Sequence, residues 1–206
     1  MRRKYTAVVS MIILAGTLAG CWLPDNYDLD MKVAPSGSYA ATFSGDIVYL
    51  PLYADIKQAR AKPADIAKAD KEMLTDIRKT AGVRSADARG DAAYRVVIDA
   101  AGTVHKGDTA RSPFGDIGPL AIIPQGDKII ITNNANADPA QMRKVLADLR
   151  SAGLKSRGDV CIHTDAQVLE SNADSKPGLL SSCYKWHVDD FVRTPKSIRM
   201  VIKATW

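Results

Sequence analysis

The chain opens on a segment built to be removed, so the folded domain has to be read from the residues beyond Cys21. Arg2, Arg3 and Lys4 form a cationic start, Ala7 to Ala19 form an apolar core, and small residues lead directly into Cys21. A bilayer-spanning helix needs about 20 apolar residues, and this run stops short of that before Pro24, Asp25 and Asn26. The segment therefore reads as an export signal rather than a span. A signal cut elsewhere would not need a cysteine at this place.

Leu18-Ala19-Gly20-Cys21 resembles the lipobox of bacterial lipoproteins. In that family the cysteine thiol receives a diacylglycerol, the chain is cut just before the cysteine, and the new amino group is acylated. The resemblance implies that Cys21 is the first mature residue and the lipidation site, with membrane lipid as its partner. Burial of each acyl CH₂ contributes about 0.8 kcal/mol, so two or three chains anchor far more firmly than one reversible chain. Trp22 follows the cysteine, with no aspartate there, which resembles lipoproteins sorted to the outer membrane in enteric bacteria. The expected location is the cell envelope, at the outer membrane and facing the periplasm. The expected organisation is a signal over 1–20, a lipidated tether over 21–28 and one periplasmic domain over 29–206.

Removing the three signal cations takes the formal net charge from +5 to +2, so the mature chain carries no basic excess that would call for nucleic acid. With 46% apolar and 25% charged residues, the remainder has the composition of an ordinary globular domain. Two cysteines remain after Cys21, namely Cys161 and Cys183, and an exported protein folds in an oxidising space. A disulfide is the expected pairing. Antiparallel pairing of 159–164 with 180–185 around Asn172 would set the two cysteines directly opposite one another. The competing reading is a Cys₂His₂ zinc site from Cys161, His163, Cys183 and His187. The 183/187 spacing suits it poorly on a strand, and export disfavours thiolate zinc, so no metal and no cofactor are expected.

Alternation of Leu29, Met31 and Val33, turn chemistry at Pro35-Ser36-Gly37, and alternation of Tyr39, Ala41 and Phe43 predict an opening hairpin. Tyr53 to Arg60 is compatible with a short helix. Ile66, Ala69, Met73 and Ile77 predict an amphipathic helix over 64–80, stopped by Gly82. Strand signals run from Val83 to Thr132 and predict a meander, with turns at Ala101-Gly102 and at Pro124-Gln125-Gly126-Asp127. The Gly- and Pro-rich stretch 112–119 reads as a loop exposing Phe114 and Ile117. A second amphipathic helix starts with Asp138 as N-cap, Pro139 and Gln141, presents Met142, Val145, Leu146 and Leu149, and ends at Gly153. Strands near 159–169, 182–189 and 197–204 complete an α+β fold with a mainly antiparallel sheet covered by two amphipathic helices.

No Gly-x-Ser-x-Gly, phosphate loop or His-Glu-x-x-His occurs. Ser182-Cys183-Tyr184-Lys185 satisfies the Ser-x-x-Lys pattern of penicillin-binding proteins, but its flanks alternate like a strand and not like a helix start. Asp25, Asp28 and Asp30 have no glycine-centred loop of the kind calcium requires. Val33-Ala34-Pro35-Ser36-Gly37 after the anchor, a central amphipathic helix, and Asn172-Ala173 followed by Tyr184-Lys185-Trp186 make a layout similar to the LppM-type domain of exported lipoproteins. That resemblance covers most of 29–204 in layout, finds no counterpart for 112–119 and carries over no catalytic residue. It implies an α+β fold and lipid association. The expected function is non-enzymatic binding of an apolar ligand or a protein partner, with Phe114, Ile117, Tyr184 and Trp186 as candidate ligand contacts. Sheet packing is the competing reading of Tyr184 and Trp186. The rival class is an envelope-acting enzyme with a site near His163, Asp165 and His187.

Overall fold

The computed structural model describes residues 22–60, 62–133, 139–178 and 181–206; the expected signal, Cys21 and Asp138 lie outside the described residues, as do the side chains of Gln141 and Met142. The chain begins with a long hairpin of β1 (Trp22–Val33) and β2 (Ser38–Tyr49), turned at Pro35-Ser36-Gly37 as the alternation predicts. Leu29, Met31 and Val33 are buried with Tyr39, Ala41 and Phe43, while Asp28, Asp30, Lys32 and Ala40 are exposed on the opposite face.

The expected tether requires correction, because Trp22 to Asp28 is the first part of β1, paired with β2 from Trp22↔Tyr49 onward. A β-bulge hides this stretch from period-two reading. The register shifts by one residue between Asp25 and Asp28, with Asn26 at φ +47°. Gly45 makes room for the bulge, since a Cβ there would lie 2.4 Å from the Cβ of Tyr27. The extra residue turns Leu23 to the face opposite Leu29, where it packs with Val48, Val145, Leu149 and Val192 in a small second core.

Helix α1 (Leu50–Lys57) and helix α2 (Pro63–Lys79) come next, both starting with proline in the first turn, where its missing N–H costs nothing. Ile77 of α2 is buried against the main core with Met73 and Leu74 beside it. Strands β3 (Val83–Gly90) and β4 (Ala93–Thr103) extend the sheet. The predicted turn at Ala101-Gly102 is instead the continuation of β4, paired to Ala40 and Tyr39. Gly102 lies under the Tyr39 ring, and a Cβ would meet its hydroxyl at 2.7 Å, so close packing explains this glycine.

The 112–119 stretch also departs from expectation. It winds through a 3₁₀ turn at Gly115–Ile117 and buries Phe114 and Ile117, with Phe114 5.9 Å from Phe43. Removing two large apolar side chains from water outweighs the loop-like composition around them.

The remaining strands are β5 (Ala121–Gln125), β6 (Lys128–Thr132), β7 (Gly158–His163), β8 (Val168–Ser171), β9 (Tyr184–Val188) and β10 (Arg199–Lys203), with helix α3 (Pro139–Ser151) after β6. They divide into two sheets where a single one was expected. The larger has the order β3-β4-β2-β1-β7-β9 and is antiparallel except for the β1–β7 pair, and the smaller is β5-β6-β10-β8. Their inner faces share one core, with Met31, Phe43, Ile162 and Trp186 from the larger sheet and Ile122, Ile131, Met200 and Ile202 from the smaller. The class is therefore α+β and mainly antiparallel, with the smaller sheet taking much of the covering role expected of helices.

Helix α3 buries Val145, Leu146 and Leu149 as its spacing predicts, at about 1.5–3 kcal/mol for each fully buried side chain. It closes with Gly153 at φ +74°, whose N–H donates to the Arg150 carbonyl while Leu154 N–H donates to that of Leu149, a Schellman cap. Among the described residues no helix is long and apolar enough to cross a membrane.

Candidate functional site

The outer face of the large sheet carries most of the chemistry-bearing side chains. At the β7–β9 edge, Cys161 and Cys183 form a disulfide with Cα atoms 5.6 Å apart. The expected register is off by two residues: Cys161 opposes Lys185, and Cys183 precedes β9, diagonal to its partner. Both positions still fall on one face, so the side chains meet. The chain between them is no simple hairpin loop, because it contributes β8 to the smaller sheet.

His163 lies on the same face, two residues along β7. Its Nε2 is 3.3 Å from the Cys161 sulfur and 3.1 Å from Asp30 Oδ2, and its Nδ1 is 3.2 Å from the Ser182 carbonyl. Cys161, His163 and Cys183 place their ligand-type atoms within 4.8 Å of one another. His187, the fourth member of the supposed zinc set, is not among them. Its ring contacts Asp159 at 2.7 Å and Asp189 at 2.9 Å. The two thiols are already committed to each other.

Asp159 also receives Lys185 at 3.1 Å. Burial works to raise the pKa of Asp159, but hydrogen bonds from His187 and Lys185 outweigh it and hold the carboxyl below its ordinary range. The same bond to Asp159 raises the pKa of His187. This trio is half open to water and forms a cross-strand ion pair network rather than a closed pocket. His163 is four residues from Asp159 along β7, roughly 13 Å at strand rise, and Asp165 is exposed beyond the strand end. The three residues of the supposed enzyme site are therefore not brought together. Lys185, from the Ser-x-x-Lys match, is on a strand and paired with Asp159.

At the other side of the face, Asp99 on β4 accepts from Thr42 at 2.8 Å and pairs with Arg84. Those partners hold Asp99 below the usual carboxylate range. An open depression of about 560 Å³ lies here, bounded by Asp30, Lys32, Thr42, Arg84 and Asp99 and floored by Ala40 and Ala101. Alternating charged and small residues on β1, β2 and β4 shape it, and the sequence pattern of β2, with Ala40 and Thr42 outward, is its only signal.

No protein-family model matches the chain, and no curated protein matches it in sequence. Among solved structures it is weakly similar to the NMR structure of the folded domain of LppM from Mycobacterium tuberculosis. The TM-score is 0.39 at 12% identity, over 91% of this chain and 92% of that one. At that level the likeness gives no residue a role.

The residues expected to contact a ligand are mostly core. Phe114, Ile117 and Trp186 are buried, and Tyr184 is half-buried at the start of β9. Trp186 donates its indole N–H to Asn172 Oδ1 at 2.9 Å, and the same oxygen accepts from Arg199 N–H at 2.8 Å. Asn172, expected to be a loop centre, instead satisfies the one polar atom of the largest buried side chain.

Proposed function

We propose that this protein is an exported lipoprotein, acylated at Cys21 and held at the outer membrane facing the periplasm, whose domain binds a protein partner without catalysis. The carrying observation is the Leu18-Ala19-Gly20-Cys21 sequence immediately ahead of a domain closed by the Cys161–Cys183 disulfide. Address and redox chemistry agree.

A protein partner is favoured over an apolar ligand because the open depression on the large sheet is bounded by charged and hydroxyl side chains, while Phe114, Ile117 and Trp186 are occupied in the core. Catalysis is disfavoured by the separation of His163 from His187 and by the open, salt-bridged setting of the latter.

Site-specific photocrosslinking in intact cells tests the reading. A photoreactive residue at Ala40 or Ala101, on the outer face, should give a discrete crosslinked protein species that one at Lys68, on exposed α2, does not. Equal patterns from all three positions would defeat the assignment. Copurification of a stoichiometric lipid with the delipidated domain would promote the apolar-ligand reading in its place.

A further inference from the structure

We infer that this domain has no tether and is seated directly on the bilayer by the Trp22 end of its large sheet. The inference rests on acylation at Cys21. Trp22 is the next residue, and it is already in β1, paired with Tyr49. Successive Cα atoms are about 3.8 Å apart, so a lipidated Cys21 at the headgroup level leaves no slack between bilayer and sheet.

The residues at that end suit the interface. The Trp22 ring packs 5.0 Å from Tyr49 and 5.9 Å from Tyr94, and the Tyr49 N–H donates to the Ala92 carbonyl of the β3–β4 turn at 2.9 Å. Tyr53 of α1 donates its hydroxyl to the Ala152 carbonyl behind α3 at 2.9 Å. Trp22, Tyr49 and Tyr53 are all half-buried, and amphipathic rings of this kind settle at the headgroup boundary. Of the cations nearby, Lys57 pairs with Asp91 at 2.6 Å and Arg60 with Asp55 at 2.9 Å, while Lys62 and Arg89 are exposed. The contact made by these rings calls for no anionic lipid, so a zwitterionic membrane tests it on its own.

The opposite end carries an internal control. Trp206 donates its indole N–H to Gly126 at 2.8 Å, and Thr205 N–H donates to Pro35 in the β1–β2 turn at 2.8 Å. At strand rise that turn is about 35 Å from Trp22. Trp186 is buried between the sheets. The three indoles thus stand at different heights above the bilayer.

The test uses acylated full-length protein in phosphatidylcholine vesicles whose chains are brominated near the glycerol. Bilayer contact predicts quenching of tryptophan emission that Trp22→Phe largely removes and Trp206→Phe leaves in place. A flexible Gly/Ser insert of about ten residues between Cys21 and Trp22, spanning about 18 Å, should abolish quenching with acylation and unfolding temperature unchanged. This second variant keeps Trp22 itself intact. Acylated protein that is unquenched, or quenching that survives the insert, overturns the seating. Protein bearing no acyl group at Cys21 overturns the underlying lipoprotein reading.

Discussion

Reduction of the Cys161–Cys183 bond is expected to lower the unfolding free energy by about 3 kcal/mol. The two cysteines are 22 residues apart in sequence, and the loop-entropy relation for a closed segment of about that size gives roughly 3 kcal/mol at 25 °C. The native state should lose little when the bond opens. The β7–β9 ladder from Gly158↔Val188 to Ile162↔Tyr184 and the pairing of β8 with β10 hold the same segments independently of it. The effect belongs to the unfolded chain, where reduction frees the residues between the cysteines. Urea unfolding followed by tryptophan emission, with and without a phosphine reductant, measures it directly. A fall in midpoint accompanied by a small rise in slope is expected, since the reduced unfolded chain exposes more surface. The double substitution Cys161→Ala with Cys183→Ala should reproduce the reduced midpoint to within the cost of the lost sulfur contacts. Two titratable thiols in the native domain, or an unchanged midpoint on reduction, would refute the reasoning. Stability lost to a chelator and restored by zinc would do so as well.

Gly45→Ala should destabilise by about 3 kcal/mol, the upper end of overpacking costs, because its Cβ would meet Tyr27 at 2.4 Å and 2.8 Å; a melt within error of wild type would mean the bulge yields freely. Asn172→Leu should cost about 1–3 kcal/mol by orphaning the buried Trp186 indole N–H, and unchanged urea stability would show that water replaces Asn172. His187 has a raised pKa in the folded state, so its bond to Asp159 contributes fully below the unfolded value of about 6.5 and is lost as pH rises through the folded one. The stability gap between wild type and His187→Gln should therefore be wider at about pH 5.5 than at about pH 9, and a gap independent of pH would contradict that pairing.

The parts of the fold that are legible in the sequence are those whose signals are local. The Pro35-Ser36-Gly37 hairpin, the apolar spacing of α2 and the Gly153 stop each depend on a few neighbouring residues. The division into two sheets is hidden, because the alternation of β5 and the continuous apolar runs of β6 and β10 show that these strands are buried and not which strands lie beside them. Residues 22–28 read as a tether because the bulge at Asn26 breaks the period that identifies a strand. At Gly102 and Phe114, composition points to a turn and a loop, while a ring overhead and a core beneath decide otherwise.

The pairing of Cys161 with Cys183 is legible from compartment and parity, although the register that sets Cys161 opposite Lys185 is recorded in no local pattern. His163 and His187 look alike in the sequence as strand residues near a cysteine. Only the ladder, which places Asp159 opposite His187 and brings Asp30 to His163, separates their surroundings. The depression beside Asp99 depends on β1, β2, β3 and β4 lying together, which is likewise a product of tertiary assembly.

Metabolic labelling with a fatty acid, comparing wild type with Cys21→Ser in whole cells, most directly tests the claim that this domain is lipid-anchored at the envelope. Serine lacks the thiolate that attacks the lipid donor, so wild type should carry the label while Cys21→Ser accumulates as an unlabelled precursor retaining residues 1–20. Label on Cys21→Ser, or a mature wild-type chain that begins elsewhere and carries none, would contradict the account.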